Sequence, residues 1–242
     1  MATNFSQYIA FRNGILNLKT RELLPFNKDY VVFNKINWDY NPHAYTKDVD
    51  IMLNEFSCND SQTRRLLEEL FGCVMCRNCE RQPIFLITGK DEDSQVLFLL
   101  VLERLMGENC SVLPIRSLIA DKRKTTLTYM SNKLLNICRG NTKEIMSRIS
   151  KLNDIAYAKL PQHMTLILVP YPTPNNFNDC KVKNIKNISF NRKPHNKVFA
   201  FDNISPEVVG GIRQMHDCLN YDIDIFMSHI INLGLAHINC DN

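Results

Sequence analysis

The sequence has little of what marks a membrane or secreted protein. Its longest uninterrupted apolar run, Val96 to Leu102, is far shorter than the roughly 20 residues that a membrane-spanning helix needs. The first residues, MATNFSQYIAFRNG, lack the basic start, apolar stretch and small-residue cleavage site of a secretory signal. We therefore expect an intracellular protein with no membrane-spanning segment.

Charge of one sign is also not in large excess. The net charge is +4, which permits contact with nucleic acid without requiring it, because phosphate recognition needs clustered charge. The nine cysteines are an odd number in a chain of 242 residues, which is long enough to bury a core without disulfides. We expect reduced thiols.

Three cysteines, Cys73, Cys76 and Cys79, have the spacing of a metal-binding motif. No fourth ligand follows, since Pro83 stands where a ferredoxin-like run has its last cysteine. The same spacing brings the thiols near one helix face, where cysteine packs as a small apolar residue. We favour core packing and expect no metal, with metal binding as the alternative.

The spacing of apolar residues predicts an α/β fold. Asn13-Gly14 between apolar runs predicts a β-hairpin turn, because both residues tolerate positive φ. Two helices follow within residues 46–80, the second capped by Asp60 or Ser61. Further strands and helices alternate, as in a sheet covered by helices. The strands are Ile84–Thr88, Lys133–Cys138, Met164–Val169 and Ile185–Phe190, and the helices are Ser94–Leu105, Glu144–Leu160 and most of Ser205–Ile238.

The N-terminal residues resemble a motif of known helicases. The residues that carry it are Asn13, Gly14, Leu16, Leu18, Lys19, Thr20, Glu22, Leu23 and Pro25, then Asp39, Tyr40 and Pro42. They resemble the segment that precedes the ATPase in poxvirus-like and phage-plasmid primase-helicases of superfamily 3. The resemblance implies an AAA+-like three-layer core, a sheet with covering helices, of a kind that forms hexameric rings around nucleic acid.

The resemblance also implies a division of the chain into three parts. We expect an N-terminal β-hairpin and helical, collar-like region over residues 1–80. A degenerate AAA+-like core follows over residues 81–200, and a helical C-terminal segment over residues 201–242.

The phosphate-binding loop of such enzymes reads Gly-x-x-x-x-Gly-Lys-Ser/Thr, so that backbone N–H groups, a lysine and a hydroxyl hold phosphate and Mg²⁺. In this chain only the first glycine, Gly89, is retained. Ser94 replaces the second glycine, Gln95 the lysine and Val96 the hydroxyl residue. These substitutions predict that the loop has lost its function.

Acidic residues strengthen that prediction. Asp91, Glu92 and Asp93 bring three carboxylates to the place of the triphosphate, and like charges about 4 Å apart cost roughly 1 to 4 kcal/mol. Two alternatives are that Lys90 contacts phosphate, or that the carboxylates bind a cation. We expect neither, and we expect no cofactor.

The second motif of these helicases is an apolar strand ending in acidic residues that position Mg²⁺ and the attacking water. Here the strand runs into Arg139 and Gly140. Glu144 is the nearest downstream acid, and we expect it several ångströms away as a solvated or capping residue.

The remaining nucleotide positions are altered as well. Pro170 stands where the polar sensor is expected and offers no side-chain hydrogen bond. Lys183 or Asn184 takes the place of the arginine finger, and lysine is a poor substitute for a planar guanidinium.

A basic segment with interleaved aromatic residues is the candidate nucleic-acid site, since phosphate contact and base stacking bind single strands. The alternative is a solvated loop. Its basic residues are Lys181, Lys183, Lys186, Arg192, Lys193 and Lys197.

The sequence therefore predicts a catalytically inactive helicase-like protein of a virus or mobile element. It would act in DNA replication or a related complex through nucleic-acid binding or subunit assembly, with single-stranded or duplex DNA and replication proteins as partners. A viral source implies the host cytoplasm or nucleus. The alternatives are a divergent active helicase and a structural or virion protein that does not bind nucleic acid.

Overall fold

A computed structural model describes residues 7–30, 32–76, 84–89, 91–118, 128–147, 165–171, 185–190 and 223–237. The chain begins with a small antiparallel sheet followed by two helices. The strands are β1 (Tyr8–Ala10), β2 (Ile15–Asn17) and β3 (Leu23–Leu24), and the helices are α1 (Lys47–Phe56) and α2 (Ser61–Cys73). This arrangement confirms the predicted hairpin and helix pair.

The turn between β1 and β2 forms where it was predicted, but for another reason. Neither Asn13 nor Gly14 has positive φ. A β-carbon on Gly14 would lie 2.6 Å from the Leu24 carbonyl oxygen, so close approach of β3 requires glycine here. The Asn13 amide donates to Tyr40 O at 2.9 Å and accepts from Tyr40 N at 2.9 Å. Two separated parts of the N-terminal motif are thereby joined.

Side-chain caps begin both helices of the pair. Thr46 accepts a hydrogen bond from Asp48 N, and Asp60 accepts one from Thr63 N at 2.7 Å. The bond from Thr63 N lowers the pKa of Asp60, as expected for a carboxylate at a helix N-terminus. The predicted cap at Asp60 is confirmed.

The main sheet has five parallel strands in the order β5-β6-β7-β4-β8. Of these five strands β4 comes first in the sequence, and it lies between the last two, β7 and β8. The bounds are β4 (Ile84–Gly89), β5 (Cys110–Pro114), β6 (Leu135–Asn141), β7 (Thr165–Tyr171) and β8 (Ile185–Phe190).

Strand β5 was not predicted. It has only five residues and ends in proline, so it has neither a long apolar run nor clear alternation to mark it. Its pairing with β6 completes the edge of the sheet, and long-range pairing of this kind is absent from local sequence patterns.

Apolar side chains cover both faces of the sheet. On one face Phe85 and Ile87 join a large core with α1, α2, α3 (Glu92–Met106) and α4 (Ile223–Leu235). On the other face Ile84 and Leu86 pack in a smaller cluster, which short helical stretches at 115–118, 128–131 and 142–147 help to form. The alternation of β4 side chains between two cores gives the three-layer α/β fold that was expected.

Helix α4 ties the C-terminal part to the N-terminal part. Arg12 forms ion pairs with Asp39 at 2.8 Å and with Asp224 at 2.6 Å. The Arg21 guanidinium donates to Leu235 O at 2.6 Å, at the end of α4. The division into three parts remains a prediction, since the larger core takes side chains from each of them.

No helix in the described part of the chain is both long enough and apolar enough to cross a membrane.

Candidate functional site

The carboxyl ends of the parallel strands bring the predicted nucleotide positions to one edge of the sheet. Gly89 ends β4, and the register of β6 with β7 sets Gly140 beside Pro170. The connections that leave β4 and its neighbour β7 cross the sheet in opposite directions, toward β5 and β8 respectively. Ligands of open α/β sheets bind at such a point, outside the carboxyl ends of the strands. We call this edge the candidate nucleotide site.

The connection from β4 to α3 is short and tightly packed. Only residues 90 and 91 lie between the last residue of β4 and the first residue of α3. Gly89 has φ +112°, and a β-carbon there would lie 2.0 Å from Phe190 O on β8. The Asp91 N–H donates to the same carbonyl at 3.2 Å. The connection is thus held against β8.

The N-terminus of α3 is capped by a side chain of the chain itself. Asp91 accepts a hydrogen bond from Ser94 N at 3.2 Å and another from the Ser94 hydroxyl at 2.7 Å. In a phosphate-binding loop the corresponding helix N-terminus faces the anion. Here the Asp91 carboxylate takes that position.

Gln95, at the position of the family lysine, turns back toward β4. Its amide donates to Gly89 O at 3.0 Å and to Thr88 O at 3.4 Å, and the residue is 4% exposed. A lysine in a working loop points its ammonium at the phosphates. The Gln95 amide instead satisfies two backbone carbonyls.

These contacts determine what the connection can do chemically. A phosphate cradle needs several successive N–H groups directed at one point, and a two-residue connection supplies few of them. Val96 is 64% exposed and has no oxygen for a metal ion. Lys90 lies outside the described residues, as does the Asp93 side chain.

The second motif position has no space for a carboxylate. A β-carbon on Gly140 would lie 2.2 Å from Ile115 Cγ2. Arg139 is exposed and forms an ion pair with Glu103 at 3.0 Å. A carboxylate oxygen of Glu144 lies 3.7 Å from the point where the Gly140 β-carbon would be. Glu144 lies at this distance because the helical stretch 142–147 starts directly after β6.

At the sensor position Pro170 is buried within β7. Lys183 and Asn184, the candidates for the arginine finger, lie outside the described residues. The structure therefore brings the first three motif positions together and leaves the fourth without a described location.

One residue of the basic segment is described. Lys186 lies on β8 and its ammonium contacts the Glu69 carboxylate on α2. This ion pair joins the sheet to the helix pair. The other candidates of the segment, Lys181, Lys183, Arg192, Lys193 and Lys197, lie outside the described residues.

Two of the three cysteines with metal-like spacing are described. Cys73 and Cys76 are buried in the larger core, and Cys79 lies outside the described residues. Burial raises the pKa of Cys138 to about 12, and burial together with the Glu103 carboxylate raises that of Cys110 to about 12. Within the described ranges no three His, Cys, Asp or Glu side chains are grouped closely enough to hold a metal ion.

Residues 3–72 match the family model described as D5 N terminal like. The match covers less than a third of the chain and includes the hairpin, the Asp39-Tyr40 turn and both helices of the pair. It supports the relation to primase-helicases, and hence to DNA replication, that the N-terminal motif indicated.

The chain is similar in fold to a solved structure of another protein region, with which its TM-score exceeds 0.5. An apo structure of the NrS-1 C terminal region (A form) aligns with TM-score 0.51 and 12% identity, covering 90% of this chain and 51% of that one. A second apo structure of that region (305–718) gives TM-score 0.47 and 12% identity, with 90% and 56% covered. A third, also A form, gives 0.48 and 10%, with 85% and 48% covered.

The present chain thus spans about half the length of the structures it matches. At 12% identity the likeness concerns the fold alone. No curated protein matches the sequence.

Proposed function

We propose that this chain is a catalytically inactive helicase-like protein of a virus or another mobile element. It acts in DNA replication or a related complex through nucleic-acid binding or subunit assembly. The relation to primase-helicases supports a role in DNA replication, and the three-layer α/β fold supports a helicase-like architecture.

One observation supports the proposal that the chain does not bind or hydrolyse ATP. Its own side chains make the contacts that a phosphate would make. Asp91 caps α3, and the Gln95 amide bonds to the end of β4. To admit a triphosphate, both groups would have to leave their partners. A carboxylate at the helix N-terminus would also repel the anion.

The test is a titration of the purified chain with a fluorescent ATP analogue and Mg²⁺, with and without single-stranded DNA. We expect no saturable binding up to millimolar nucleotide. Gln95→Lys should not create binding, because Asp91 still occupies the helix N-terminus. Lys47, an exposed lysine on α1, provides the control. The proposal would be overturned by saturable binding that is lost in Lys90→Ala and kept in Lys47→Ala.

The second candidate is a divergent but active helicase, and the position of Glu144 favours it. Its carboxylate is close enough to the second motif to stand in for the missing acid. In that case DNA-stimulated ATP hydrolysis is measurable, and Glu144→Gln abolishes it while leaving nucleotide binding intact. Absence of hydrolysis in the native chain would reject this candidate.

A further inference from the structure

Two lysine–aromatic pairs lie on the surface near the amino ends of the main-sheet strands, opposite the candidate nucleotide site. Lys35 Nζ lies 6.0 Å from the centroid of the Phe26 ring, and Lys133 Nζ lies 5.4 Å from that of Tyr129. Phe26 is 57%, Tyr129 49% and Phe33 70% exposed. We call these five residues the aromatic–lysine patch.

A buried asparagine network brings the two pairs together. The Asn34 amide donates to Asn109 Oδ1 at 2.7 Å and to Asn132 O at 3.4 Å. The Asn109 amide donates to Lys35 O at 2.7 Å. Asn34 lies between Phe33 and Lys35, and Asn132 directly precedes Lys133. The segments that carry the pairs are thus hydrogen-bonded neighbours although a hundred residues separate them.

The patch is remote from the candidate nucleotide site. Asn109 O accepts from Leu134 N at 2.9 Å, just before β5 and β6 begin. The patch is therefore at the amino ends of the parallel strands, and the nucleotide motifs are at their carboxyl ends. A strand of six residues, such as β4, separates the two edges by roughly 20 Å.

Neither ammonium group forms an ion pair with a carboxylate among the described residues. Lys133 donates to the Glu108 backbone carbonyl at 2.6 Å, which is a neutral acceptor and leaves two further N–H groups. Lys35 is exposed. The Glu108 side chain in the adjoining turn is exposed, and Lys35 and Lys133 are the two lysines of the patch itself.

We propose that the aromatic–lysine patch binds single-stranded nucleic acid. Ammonium groups pair with backbone phosphates, while exposed rings stack on bases, and the combination tolerates any sequence because every base has a π-face. A duplex keeps its bases stacked inside, so it cannot use the rings. This inference rests on the nucleic-acid part of the proposed function and names its surface and its substrate class.

The test is fluorescence anisotropy of a labelled 20-nucleotide oligothymidine with the full chain at low salt. Phe26→Ala and Tyr129→Ala should each weaken binding about fivefold or more, the lower end for loss of one stacked base. Lys35→Gln should reduce the slope of log K against log salt by about 0.7, the value for one phosphate contact on a single strand. Lys35→Arg should keep the slope of the native chain, because arginine retains the positive charge.

Matched controls lie elsewhere on the surface. Lys47→Gln removes an exposed lysine from α1, and Tyr171→Ala removes a ring that is 68% exposed at the carboxyl edge. Both should bind oligothymidine as the native chain does. Thermal unfolding followed by circular dichroism confirms that each variant is folded.

The outcomes separate this inference from the proposed function. If the native chain binds oligothymidine and the patch variants bind it equally well, the patch is rejected and nucleic-acid binding stands. If the native chain binds none, both the patch and nucleic-acid binding are rejected, and subunit assembly remains. If polyglutamate competes as well as unlabelled oligothymidine at equal charge, the patch recognises charge alone and stacking is rejected.

Discussion

Gly89 is the residue at which backbone conformation and packing are most restrictive. Its φ of +112° is one that side-chain-bearing residues rarely adopt, and Phe190 O occupies the space where a β-carbon would lie. Both restrictions follow from the short connection that presses the end of β4 against β8. The first glycine of the predicted phosphate-loop motif therefore has a structural reason to be glycine, whether or not nucleotide binds.

Replacing Gly89 by alanine should lower the free energy of unfolding by about 2 to 6 kcal/mol, the sum of backbone strain and overpacking. Gly107→Ala is the matched control, since Gly107 has φ +51° with nothing within 4 Å of a β-carbon. Gly107→Ala should lower the free energy of unfolding only by the cost of backbone strain, about 1 to 3 kcal/mol. Urea unfolding measures both values, and equal losses would contradict the packing argument.

At the scale of elements, α2 and α4 pack at backbone distance. A β-carbon on Gly234 would lie 2.6 Å from Gly72 N and 2.6 Å from the Phe71 carbonyl carbon. Next to this contact His237 Nε2 lies 3.1 Å from a Glu68 carboxylate oxygen. The pair of helices thus joins the D5-like region to the C-terminal part through both packing and polar contacts.

Gly234→Ala tests that contact, because close packing and helix propensity predict opposite signs for its effect on the free energy of unfolding. In a helix without a close neighbour, alanine in place of glycine gains about 1 kcal/mol. Here we expect a net loss of about 1 to 2 kcal/mol, because overpacking by one methyl group costs up to about 3 kcal/mol. Ala236→Ser, at an exposed neighbouring position, should change stability little. A stabilised Gly234→Ala protein would show that the helices can separate without cost.

At the scale of the whole molecule, His229 on α4 meets the segment that leads into α1. Its Nδ1 lies 3.2 Å from Thr46 N and 3.1 Å from Thr46 O, and its ring lies 4.9 Å from the Tyr45 ring. Burial lowers the pKa of His229 below the ordinary 6.5, although the Asp50 carboxylate opposes the shift. The folded protein therefore resists protonation of this imidazole more than the unfolded chain does.

Stability should fall with acidification through this histidine. Below pH 6.5 the unfolded chain takes up a proton that the folded protein resists, so the free energy of unfolding drops until the folded pKa is reached. We expect Tm to fall from pH 7.5 to pH 5, and to fall less in His229→Gln. Differential scanning calorimetry across this range measures the difference. Parallel pH profiles for the two proteins would contradict the assignment.

Local patterns in the sequence determined most of the elements. Asp60 was identifiable as a helix cap and Ile84 to Thr88 as a buried strand, because capping and apolar spacing act over a few residues. The N-terminal motif also indicated a relation to primase-helicases, and the D5 match supports it. Strand β5 was missed because its pairing partner lies elsewhere in the chain.

Only the tertiary structure decided how the candidate sites are built. The sequence could list the substitutions at Ser94, Gln95 and Gly140, but not that Asp91 caps α3 or that Glu144 approaches the second motif. The aromatic–lysine patch had no signal in the sequence, since its halves meet only through the Asn34 and Asn109 side chains. Such contacts depend on which strands and turns become neighbours, and that is a property of the folded sheet and not of any local segment.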